Sequence, residues 1–121
     1  MGSVEDVSRV IADLKRAGGI RALAVVSREG ILVASEIPGD VPPETFAAMS
    51  AVMLSAAETA YLEIGQAIPD RLIVETDEGK LIITGAGDRS MLVALADAKA
   101  GIGHLTVEMN RAVARLKELF G

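Results

Sequence analysis

The chain has 121 residues, half of them hydrophobic and 24% charged, a balance that suits one domain with a real core and argues against disorder. Its formal net charge is −5 and it has no run of Lys or Arg, which excludes the basic surface that nucleic-acid phosphates or an acidic bilayer would require. It contains no Cys, so disulfides and thiolate metal sites are excluded, and a cytoplasmic, reducing setting is expected.

Met1-Gly2-Ser3 leads directly into acidic residues, unlike a signal peptide. Asp6 stands where an N-myristoylation motif wants Ser or Thr. Ser3 reads as a helix N-cap with Glu5 and Asp6 in the first turn. Val4, Val7, Ile11 and Leu14 then recur at helical spacing, and Gly18-Gly19 stops the run, which predicts a first helix over 4–17. Residues 22–26 are continuously apolar, Ser27-Arg28-Glu29-Gly30 reads as a tight turn, and 31–35 follows as a second strand. Pro42-Pro43-Glu44 opens a long helix that runs to about Ile64, with Gly65 as its stop. Strands are predicted at 72–76 and 81–84, joined by Asp77-Glu78-Gly79-Lys80, and at 91–96 after the turn 85–88. The last helix carries Leu105, Met109, Ala112, Leu116 and Leu119 on one stripe. No linker is long enough to divide the chain, so residues 1–121 are expected to form a single domain. No apolar stretch approaches the roughly 20 residues of a membrane span, so no membrane insertion is expected.

Residues 22–26 and 91–96 are apolar on both alternating faces, the mark of central strands covered on both sides. The strands at 31–35 and 72–76 are more mixed and belong near the edges. Helices should therefore cover both faces of one five-stranded, mostly antiparallel sheet.

The middle helix is apolar over most of its circumference. Phe46, Met49, Met53, Ala56, Ala60 and Ile64 form one stripe, Ala47, Ala51, Leu54 and Tyr61 a second, and the polar arc holds Ser55, Glu58, Thr59 and Glu63. A surface helix needs only one buried stripe. The second stripe is therefore expected to meet another chain, the alternative being a helix covered within its own domain.

Little in the sequence signals catalysis. His104 is the only His and has no Cys or carboxylate pair at ligand spacing. No G-x-S-x-G occurs. Gly85-Ala86-Gly87 precedes a strand and no Lys follows, so it is not a P-loop. Gly101-Ile102-Gly103 precedes a helix, but Thr106 stands where the dinucleotide motif needs its third Gly. No enzyme activity, metal or cofactor is expected. Arg28, Arg71 and Arg89 lie at turns or strand ends, where an arginine could reach a partner's nucleotide phosphate or simply remain solvated.

Three stretches carry a resemblance. Ala24-Val25-Val26-Ser27-Arg28-Glu29-Gly30-Ile31-Leu32-Val33-Ala34-Ser35 looks like the first hairpin of the Roadblock/dynein-light-chain family. Leu72-Ile73-Val74-Glu75-Thr76-Asp77-Glu78-Gly79-Lys80-Leu81-Ile82-Ile83 looks like its second. Leu92 to Asp97, Ile102-Gly103 and the helix with Glu108, Arg111, Ala112 and Leu116 resemble its C-terminal end. The resemblance implies a profilin-like α/β/α sandwich with element order α-β-β-α-β-β-β-α and sheet order 2-1-5-4-3. It implies a homodimer that pairs the long helix and the third strand, with Ala47, Ala51, Leu54, Glu58, Tyr61, Arg71, Ile73 and Glu75 at the seam. It also implies a Ras-like small GTPase as partner, with Arg28, Arg71 and Arg89 as possible contacts. A structural adaptor for a non-GTPase complex is the competing reading. A small-molecule sensor is weaker, because no polar residues converge in the expected core.

Overall fold

The computed structural model describes residues 3–120. The readings that concern Met1 and Gly2 lie outside them. The elements are α1 (Val4–Lys15), β1 (Ile20–Ser27), β2 (Leu32–Glu36), α2 (Pro43–Glu63), β3 (Arg71–Glu75), β4 (Gly79–Gly85), β5 (Ser90–Asp97) and α3 (Ile102–Phe120). Their order and type are those expected, and the boundaries shift by a residue or two. The sheet order is β2-β1-β5-β4-β3, and every pairing is antiparallel. Among the described residues, no helix is long and apolar enough to cross a membrane.

Local chemistry sets the ends of α1. The Ser3 hydroxyl accepts from the Asp6 amide at 3.2 Å, and the Asp6 carboxylate accepts from the Ser3 amide at 3.1 Å. This reciprocal box satisfies two otherwise orphaned donors. These bonds, the backbone one first, hold the Asp6 carboxyl below the usual carboxylate range. The helix ends at Lys15, earlier than expected, because Arg16 is its C-cap and Gly18 and Gly19 take φ of 84° and 75°.

Because strand residues alternate between faces, β1 and β5 feed two separate cores. Leu23, Val25, Leu92 and Ala94, with Ile82 of β4, pack against Val7, Val10, Ile11 and Leu14 of α1 and Leu105, Met109 and Leu116 of α3. Ala24, Val26, Met91 and Val93, with Ile83, pack against Ala47, Ala51 and Leu54 of α2. The result is the α/β/α sandwich, with two helices on one side of the sheet and one on the other.

The outer surface of the α1–α3 layer is charged. Asp13 accepts from Arg16 and from Arg115 of α3, each at 2.8 Å. The Arg115 hydrogen bond, ahead of the attraction of both guanidinium groups, holds the Asp13 carboxyl below the usual range.

The stripe of α2 that was expected to meet another chain faces the sheet instead. Ala47, Ala51 and Leu54, expected to meet another chain, are buried beneath their own sheet. Small side chains at 47, 50 and 51 let the helix axis approach the sheet, and Leu54 fills the space between. Phe46 and Met53 pack at the margin of the same core, and Met49 and Ile64 are exposed.

Candidate protein-binding surface on helix α2 and strand β3

The outward side of α2 carries uncovered apolar residues among Thr45, Ser55, Thr59 and Glu63. Met49 and Val52 are exposed there, Val52 at 58%, and Leu62 and the C-cap residue Ile64, at 67%, are exposed at the C-terminal end of the helix, whereas Leu54 on the inward side is at 0%. Ile68 in the loop after α2 and Val74 of β3 extend the exposed set. An apolar surface gathered on one helix and the adjacent strand is unlike the singly scattered exposed residues of most soluble domains.

Strand β3 is the edge of the sheet and pairs only with β4. Its far side carries free backbone donors and acceptors, the arrangement to which another strand can add. Leu72 joins the α2 core, and Val74, two residues on, shares that face. A shallow apolar groove of about 190 Å³ lies alongside, between Phe46, Met49 and Met53 of α2 and Leu81 of β4. Ser50 is buried at its side, and its hydroxyl has no hydrogen-bond partner.

The eight residues expected at a seam do not form one surface. Ala47, Ala51 and Leu54 are interior. Tyr61 is exposed near the helix end, and Glu58 is half-buried in an ion pair. Ile73 packs against the α1–α3 core, on the opposite side of the sheet from α2. Arg71 and Glu75 share the Ile73 face by alternation, and Arg71 donates to Asn110 of α3 at 2.7 Å. The exposed apolar residues that the expected seam did not include are Met49, Val52, Leu62, Ile64, Ile68 and Val74. Met49 and Ile64 did stand in the other stripe, which holds the larger side chains.

The three candidate arginines differ in their freedom. Arg28 Nη1 donates to both carboxylate oxygens of Glu58 at 3.0 Å, and Nη2 donates to the Gly87 carbonyl at 3.1 Å. Arg71 is held by Asn110. Arg89 is exposed on the turn between β4 and β5, and its backbone carbonyl accepts from the Arg28 amide at 2.9 Å. Arg89 shares an open cleft with Asp88, Lys117 and Phe120. His104 Nε2 lies 3.2 Å from the Ala17 carbonyl and joins the start of α3 to the end of α1.

The family model described as Roadblock/LC7 domain matches residues 6–96. The uncharacterized protein MJ1340 of Methanocaldococcus jannaschii is 34% identical over 114 residues, covering 94% of this chain and 99% of that protein. The solved structure of MglB from Myxococcus xanthus superposes with a TM-score of 0.92 at 19% identity, covering 99% of this chain and 91% of that one. Profilin II of Acanthamoeba castellanii superposes with a TM-score of 0.65 at 14% identity, covering 94% of this chain and 98% of that one.

Proposed function

The chain belongs to the Roadblock/LC7 domain family, and on that premise we propose that it is a homodimeric, non-catalytic protein that regulates or scaffolds a Ras-like small GTPase in the cytoplasm. The observation that carries the reading is the uncovered apolar side of α2 beside the open edge of β3. Two copies related by a two-fold axis would bury Met49, Val52 and Ile64 against their own equivalents and continue the sheet through β3. A joint surface of this kind can approach the roughly 1,600 Å² of a standard stable interface.

Two of the three candidate arginines favour docking over chemistry, and Arg89 stays exposed. An inserted arginine must be free to follow a developing charge, and the guanidinium groups of Arg28 and Arg71 are already engaged within the chain. The dimer would therefore act by shape, presenting a rigid two-fold face to a switch region.

The test is binding to a Ras-like GTPase from the same organism, loaded with GDP or with a GTP analogue, alongside its hydrolysis rate. Preference for the GTP-bound form is expected. Faster hydrolysis would identify an activator, and binding without a rate change a scaffold. No binding in either nucleotide state would overturn the GTPase assignment in favour of an adaptor for other proteins.

A further inference from the structure

The two halves of α2 are attached differently. Its buried residues are Ala47, Ser50, Ala51 and Leu54, none beyond the middle turn of the helix. From Ser55 to Glu63 no residue is buried, and Ala57 and Glu58 alone are half-buried. These last two turns of helix thus hold no buried residue, and Tyr61 and Leu62 are uncovered.

One ion pair reaches this overhang. Arg28, on the turn between β1 and β2, places Nη1 3.0 Å from both oxygens of Glu58. Of the ion pairs among the described residues, it alone involves α2. The pair is set on a prepared seat. Both side chains are about three-quarters covered, Arg28 at 24% exposure and Glu58 at 23%. Arg28 Nη2 donates to the Gly87 carbonyl, and the Arg28 amide donates to the Arg89 carbonyl. Gly85 leaves room for the guanidinium, because a Cβ there would stand 2.9 Å from Nη2. Three segments distant in sequence therefore meet at one side chain.

We propose that Arg28 and Glu58 form a clasp that holds the C-terminal half of α2 on the sheet and so presents the partner-binding face, with Arg28 a positioning residue of that face. The clasp rests on the contacts above, and its effect on the face rests on the proposed dimer. A charge-assisted, partly covered pair is strong enough to set the orientation of two otherwise unsupported helical turns. Without it, residues 55–64 would lose their anchorage while the buried half stayed in place.

Amide hydrogen exchange on the full chain decides the matter, comparing wild type with Arg28→Ala, Arg28→Lys and Glu58→Gln. Exchange across 55–64 should rise by about tenfold or more in Arg28→Ala, and less in Arg28→Lys, which keeps the charge and the packing of the stem. Amides in the buried half should change far less. Arg28→Ala combined with Glu58→Gln should exchange no faster than Arg28→Ala alone. Unchanged exchange at 55–64, a uniform rise over the whole protein, or additive effects in the double variant would each overturn the clasp. Sedimentation of the same samples separates the second claim. A wild-type dimer that Arg28→Ala does not weaken would refute the positioning role, whereas a monomeric wild type would refute the dimer and leave the exchange result to judge the clasp.

Discussion

Helix α2 crosses the turn between β1 and β2 so closely that a Cβ on Gly30 would stand 3.3 Å from the Cα of Ala48. Gly30 also has a φ of 89°, in the left-handed region that L side chains avoid. Gly30→Ala therefore meets backbone strain and a backbone neighbour together. It is expected to lower stability by about 1–3 kcal/mol, read as a fall in the urea midpoint. An unchanged midpoint would show that the turn and helix can separate at no cost.

The orientation of α2 predicts opposite outcomes at neighbouring positions. Leu54 is fully buried, so Leu54→Ala should cost about 2–5 kcal/mol of stability through its cavity. Val52 faces outward at 58% exposure, so Val52→Glu should leave the unfolding free energy of the isolated chain within about 0.5 kcal/mol. The same Val52→Glu should dissociate the proposed dimer in sedimentation, by placing two carboxylates at a two-fold seam. A Val52→Glu protein that stays dimeric would move the seam elsewhere. Leu54→Glu is not a test of the seam, because it puts a charge in the core.

The arginines sort by what already holds them. Loss of Arg71 removes its hydrogen bond to Asn110 and should lower stability by about 1–3 kcal/mol, whereas loss of Arg28 should act chiefly on residues 55–64 and cost the fold as a whole less. Arg89→Ala should change stability by no more than about 0.5 kcal/mol, since that side chain is exposed. Thermal unfolding of the three variants checks the ranking. If the protein accelerates GTP hydrolysis, a loss of acceleration in a normally stable Arg89→Ala would then report contact with the partner and not damage to the fold.

The sheet was readable because its chemistry is one-dimensional. Residues 22–26 and 91–96 are apolar at every position, which only a doubly covered strand tolerates, and they form β1 and β5 at the centre. The capping residue Ser3 and the paired Gly18-Gly19 marked α1 in the same direct way. The orientation of α2 was not readable. A helix apolar nearly all round has more than one candidate inward face, and periodicity does not choose between them. Here the sheet receives the small residues Ala47, Ser50 and Ala51, and the larger Met49, Val52 and Ile64 stay outside. The Arg28–Glu58 pair was also hidden, because it joins residues 30 apart that meet only once α2 lies across the sheet.

Acid acts on the tie between α1 and α3. The Asp13 carboxyl is held below the usual aspartate range chiefly by the hydrogen bond from Arg115 of α3, with attraction from Arg115 and Arg16 adding to it. In the unfolded chain these partners disperse and Asp13 returns to its ordinary value of about 3.9. A carboxyl whose folded value is depressed stabilises the fold fully above its unfolded value and loses that contribution as pH falls through the folded one. The α1–α3 tie should therefore be intact near neutrality and weaken only below about pH 4. Asp6, lowered by its backbone and side-chain bonds with Ser3, adds loss of the α1 N-cap in the same direction. A carboxyl-carbon NMR titration of Asp13 is expected to give a midpoint below the ordinary value, and Arg115→Ala should move it upward. Arg115→Ala should also flatten the dependence of the urea midpoint on pH in the acid range. An Asp13 that titrates at its ordinary value in the wild type would mean that the Arg115 contact is not maintained in solution.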